Sequence, residues 1–281
     1  MAKKTVAIVL LSILAAALIA AMVFFIGSPG VFPWNRTQTS GASQTASEPA
    51  EFDADGITAI KIDLAKHDVT VLGTDSDKIR VEKTGAPKVS ESVSGSELCI
   101  KEPGIQLFDF GPAGSVTVYV PQKSDLDIET ASGNIIIESL EAGYIETATA
   151  SGDITVKESK AGHIETDSAS GDAKIAGTEA GSVESDSASG NITIDAIVSD
   201  SADADTMSGE VRMDLRDARP SSVIVNTVSG SVDLRFAENT EAAVKVSTVS
   251  GNVTNEIKQN SDADLKLVAE TVSGSIRITA E

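Results

Sequence analysis

Carboxylates at a fixed interval are the first residues in this chain that could do chemistry. Asp127, Glu146, Glu165, Glu184 and Asp203 recur every 19 residues, and Asp167, Asp186 and Asp205 recur two positions further on. Hard oxygen ligands in such a row suit weak association with Ca²⁺ or Mg²⁺, although they define no firm metal site. Were the repeats stacked in parallel, like carboxylates would lie about 4.8 Å apart, each adjacent pair costing roughly 1 kcal/mol in water. The structural reading of the same residues is a solvated face whose repulsion is screened by salt.

Hydroxyls are the second candidate. Thr130, Thr149, Ser168, Ser187, Thr206, Thr227, Thr248 and Thr271 are each followed two residues later by a serine and then a glycine. Turned outward, a T-x-S array could bind ice or a crystalline polysaccharide. Turned inward, the same hydroxyls would bond to the turn backbone or to neighbouring repeats. Strand parity does not choose between the two.

Nucleophilic catalysis finds little to use. His67 and His163 are the two histidines, Cys99 is the one cysteine, and no nucleophile, base and orienter come from neighbouring motifs. Cys99 reads as a small buried hydrophobe in "ELCI", and His163 as a tolerated surface residue in a column with Tyr144 and Ser182. Lys174, Arg212 and Arg277 share one repeat position but are separated by several repeats, unlike the basic cluster of a polysaccharide lyase. No enzyme and no cofactor are expected. A polysaccharide-active β-helix, or a repeat array binding cations, glycan or ice, is the alternative.

The elements that would position these residues follow from one period. Ser-Gly pairs stand at Ser132–Gly133, Ser151–Gly152, Ser170–Gly171, Ser189–Gly190, Ser208–Gly209, Ser229–Gly230, Ser250–Gly251 and Ser273–Gly274, spaced first by 19 and later by 21 to 23 residues. Aliphatic residues two and four after each glycine, such as Ile135 and Ile137, give the period of a strand with one buried face. Strands of this length, recurring about every 20 residues, predict an all-β parallel solenoid in which each coil pairs with the next. Right-handed winding follows from the usual crossover preference. Glycine at these corners, and at Gly143, Gly162 and Gly181, would supply positive φ. The later insertions "RDARPSS", "AENTEA" and "KQNSDADL" read as loops lengthening one corner.

Four segments result. Residues 1–34 read as an N-terminal membrane anchor, because Thr5 to Gly27 is an uncharged run long enough to span a bilayer as a helix and no clean cleavage site follows. Lys3 and Lys4 place the N-terminus in the cytoplasm and the remainder outside. Residues 35–52 form a flexible Ser/Thr-rich linker, 53–121 irregular capping strands, and 122–281 the regular repeats. Beyond residue 34 the chain carries 20 basic and 42 acidic residues, which excludes nucleic acid as a partner. The membrane, a cell-wall polymer or an envelope protein remain as partners.

The order "ITAIKIDLAKHDVTVLGTDSDKIRVE", "SVTVYVPQKSDLDIETASGNI" and iterated "SASGDI" or "TVSGSV" resembles a bacterial "putative adhesin" domain family that includes LiaG-like envelope proteins. The resemblance covers roughly residues 55–281. It implies a β-solenoid outside the membrane, sometimes tied to envelope-stress operons, with no catalytic residues to carry over.

Overall fold

A computed structural model describes residues 48–102 and 113–281. The proposed span at 5–27 and residues 35–47 of the linker lie outside the described residues; the linker's last three residues, 50–52, belong to the strand Ala50–Asp53 rather than to a flexible segment. Every regular element among the described residues is a strand. Each coil has two sides meeting at its Ser-Gly corner, as in Asp125–Thr130 followed by Ile135–Glu138. Alternate residues on both sides face inward: Leu126, Ile128, Ile135 and Ile137 are all buried. The coils stack in parallel and in register. On one side Leu126 pairs with Ile145, Ile164, Val183, Ala202 and Val223 in succession; on the other, Ile135 leads to Ile154, Ala173, Ile192, Val211 and Val232. One continuous aliphatic core runs through the stack.

Coil order departs from the sequential stack that the repeat predicts. The last coil, Lys266–Ser273 with Ile276–Ala280, does not lie at the end. It pairs on one side with Ser222–Ser229 and on the other with Glu241–Ser250. The same exchange occurs at the other end. Ala59–Leu64 lies between Glu97–Lys101 and Asp125–Thr130, while Asp68–Thr74 lies between Ser115–Pro121 and Ile135–Glu138. The first and last coils are therefore interior layers. Residues 59–74 form a full parallel coil rather than an irregular cap. The capping is done by antiparallel strands: Lys78–Thr84 on Ser115–Pro121, Ala50–Asp53 on Lys78–Thr84, and Ser90–Ser94 on Glu97–Lys101.

The corner glycines also serve a purpose other than the expected one. Only Gly171, Gly251 and Gly274 of the eight have positive φ. What all eight share is the lack of room. A Cβ on Gly152 would sit 2.1 Å from the Gly133 carbonyl oxygen, one on Gly190 1.9 Å from that of Gly171, and one on Gly230 1.7 Å from that of Gly209. The left-handed residues of the opposite corner are Ser139 (φ 59°), Glu158 (φ 51°) and Gly177 (φ 61°), a column with no shared residue type. The long insertions meet at one corner, as their lengths imply: Asn260 donates to the Ala242 carbonyl, and Ala243 to that of Leu265, at 3.0 and 2.8 Å.

Two outcomes test this architecture. Gly190→Ala forces main chain apart and should cost at least about 2 kcal/mol in urea unfolding, whereas exposed Ser189→Ala should change stability by less than about 0.5 kcal/mol. Truncation after residue 256 should abolish hydrogen-exchange protection in 241–255 as well, because that coil's partner is removed; a sequential stack would leave it protected.

Candidate functional site

The outward residues of the first side make up the candidate site. In a strand, residues two apart share a face, and parallel register brings the same position of every coil into line. Asp127, Glu146, Glu165, Glu184 and Asp203 form one such line, and Asp167, Asp186 and Asp205 a second beside it. The structure thus brings together all the carboxylates that the spacing singles out. The lines are bounded by other chemistry. Lys61 pairs with Asp127 and lies 3.9 Å from Glu129 at one end, while Asn226 donates to Asp205 at 2.9 Å at the other.

Crowding and burial shift these groups. Burial, then the charges of Glu165, Glu184 and Glu146, raise the Asp167 carboxyl from its ordinary 3.8 to about 7. Burial, followed by Asp205 and Asp167, raises Asp186 to about 8. Asp203 and Asp205 are raised as well, chiefly by burial. Near neutral pH the face thus holds protons that isolated carboxylates would have lost. Among the described residues no group of three His, Cys, Asp or Glu side chains converges as metal ligands. The face is a spread of carboxylates, not a chelate.

Above the acidic lines, Tyr144 and His163 stack with centroids 5.5 Å apart, and the Tyr144 hydroxyl donates to Glu146 at 2.7 Å. His163 Nδ1 lies 2.7 Å from Ser182 Oγ, and its Nε2 lies 3.6 Å from Glu165. Serine, histidine and glutamate are thus placed together by register, a juxtaposition that adjacent motifs in the sequence do not suggest. All three lie on adjoining parallel strands. His67 is structural. It is buried, its Nδ1 accepts from the Gly114 amide at 2.8 Å, and its carbonyl lies directly beneath Gly133. Cys99 is buried too, with its thiol donating to Glu97 at 2.8 Å.

The hydroxyl columns divide. Thr130, Thr149, Ser168, Ser187, Thr206, Thr227 and Thr271 are buried, and Thr248 partly so, whereas the serine two residues after each is exposed. The chain bends between them, so strand parity does not carry through, and no outward T-x-S array exists. Thr149, Thr206, Thr248 and Thr271 donate to the corner glycine carbonyl of the adjoining coil, at 3.0 to 3.4 Å. A further column, the residue after each glycine, escapes the reading from sequence. Asp68, Asn134, Asp153, Asp172 and Asn191 each accept, through a side-chain oxygen, the backbone N–H of the same position one coil on, at 2.8 to 2.9 Å. Its signal was present as the Asn or Asp of "SGN" and "SGD", which holds this position in five of the eight repeats.

Comparison with known families matches residues 57–281 to the one described as Toastrack DUF4097. No curated protein matches the chain. Among solved structures, a "putative adhesin" from Bacteroides fragilis aligns with a TM-score of 0.59 at 13% identity, over 84% of this chain and 98% of that one. Another "putative adhesin", from Parabacteroides merdae, aligns with a TM-score of 0.53 at 14% identity, over 83% of this chain and 96% of that one. At these identities the likeness is one of fold.

Raised carboxyl values give a signed pH dependence. Asp167 and Asp186 bind protons more tightly folded than unfolded, so their contribution to stability is present below about 4 and is lost as pH rises through about 7 to 8. The melting temperature should therefore rise as pH falls from 8.5 toward 5.5. Asp186→Asn should raise it at pH 8 by about 2–4 °C, the scale of 1 kcal/mol in a domain of this size, and flatten that part of the profile. Scanning fluorimetry across pH checks both.

Proposed function

The chain belongs to the Toastrack DUF4097 family over residues 57–281, and from that premise we propose that it is a display module of the bacterial cell envelope. In this reading a single N-terminal span holds it, the part of the linker that precedes the strand Ala50–Asp53 spaces it from the bilayer, and the acidic solenoid stands outside the membrane. Its work is adhesin-like contact with a wall polymer or an envelope protein, without catalysis, in a setting tied to envelope stress. The observation that carries the reading is the layout of the polar groups. The carboxylates singled out by the repeat run in register along a strand face, an arrangement suited to an extended or repeating partner. A shallow trough along the second corner has the same character, with Ala142, Ala161 and Ala180 in line beside the Lys160–Glu179 ion pair of 3.0 Å.

Two measurements bear on this proposal. Ser76 is exposed and Cys99 buried, so in Ser76→Cys a membrane-impermeant maleimide should label intact cells. Labelling only after lysis would place the solenoid inside. Incubated with purified wall polymers and envelope proteins, the chain should retain one of them without releasing soluble product. Hydrolysis or elimination products from a glycan panel would instead favour the enzyme.

A further inference from the structure

The exchanged coil order brings three long corner loops together, 216–221, 237–240 and 260–265. The chain leaves Val232–Phe236, passes the layer of the last coil, and re-enters the stack at Glu241–Ser250. It then returns through 260–265 to lay Lys266–Ser273 between the two. Loops that step over a layer in both directions do not close tightly onto the corner. They surround a cavity of about 580 Å³.

The floor of this cavity is apolar, with Pro220, Phe236 and Leu265 all buried. Its rim is polar, and part of that rim holds the loops in shape. Thr240 donates to the Ala237 carbonyl at 2.7 Å, Asn260 to Glu241 at 2.8 Å, and the Asp262 amide to the Asn260 side chain at 3.0 Å. The remaining groups are not used by the fold. Glu238, Asn239, Asp262 and Asp264 are exposed, and none of their side chains has a hydrogen-bond or ion-pair partner among the described residues. Arg219 is anchored through Nη1 on the Arg216 and Ala218 carbonyls, at 3.2 and 2.6 Å, and makes no ion pair among the described residues.

We propose that this cavity is a saccharide site, for a sugar that is neutral or carries an ammonium group. Carboxylate, amide and guanidinium groups each present two polar atoms side by side, which suits adjacent hydroxyls on a sugar ring. The apolar floor takes the ring's C–H face. Three free carboxylates against one guanidinium turn away uronic or phosphorylated sugars. Insertions gathered on one face of a repeat stack often form its binding face. The inference rests on the cavity alone and holds whether or not the acidic side face serves display.

Titration calorimetry of the full chain, in a detergent without a sugar headgroup, tests it. The probes are the trimers of glucosamine, N-acetylglucosamine and glucose, with trigalacturonate as the anionic counterpart. At about 0.3 M salt, which screens the acidic side face, at least one of the first three should bind one-to-one. Trigalacturonate should bind at least about tenfold more weakly. D262A/D264A should weaken binding by more than about tenfold without lowering the melting temperature, because neither carboxylate supports the fold. Hydrogen exchange with the bound trimer should show new protection at 237–241 and 260–265. No binding by any of the three, equal binding of trigalacturonate, indifference to D262A/D264A, or protection on the acidic strands instead would each overturn the proposal.

Discussion

Everything in this molecule depends on how closely main chain approaches main chain at one corner. Each Ser-Gly corner rests on the carbonyl of the corner beneath it, at a separation that leaves no volume for a side chain. That contact fixes the axial position of every coil. Once it is set, parallel register follows, the aliphatic columns coincide, and each strand's backbone groups find partners in the next coil. Polar side chains then secure the corner: buried threonines bond to the glycine carbonyls from inside, and Asx side chains take up the next coil's N–H from outside. Thr130, Ser168, Ser187 and Thr227 have the same buried position without a partner for the hydroxyl. Their small size, which lets the chain turn there, thus matters as much as their bonding.

Much of this was legible in the sequence because a stacked repeat is nearly one-dimensional. A 19-residue interval between Ile145 and Ile164 is already a statement about which residues touch. What the interval cannot state is which coil neighbours which when the coils are alike. Three coils share "TVSG", at Thr227, Thr248 and Thr271, and local pattern does not order them. The discriminating residue is Asn255. It occupies the inward position held elsewhere by Leu234 and Ile278, and it is tolerated only where no further layer follows. The inward and outward fates of the threonines and serines were hidden for a different reason. A bend between two positions breaks the alternation on which inside-outside arguments rest.

The acidic face sits oddly beside so regular a scaffold. Register aligns its carboxylates so closely that burial and mutual repulsion leave two of them holding protons near neutral pH. The same register that makes the core efficient multiplies any charge placed outside it, so the face is costly by construction. Costs of this kind commonly mark surfaces kept for contact rather than for stability.

The exchanged coils bear on how the molecule carries load. In a plain stack, tension on a chain end lifts the outermost strand, and bonds break one at a time. Here the first coil, Ala59–Leu64 with Asp68–Thr74, is held between two neighbours along both of its sides. Once the short strand Ala50–Asp53 has peeled away, a pull from the N-terminus must slide that coil between two layers, straining both ladders together. A tether attached there would draw on the solenoid where it resists best.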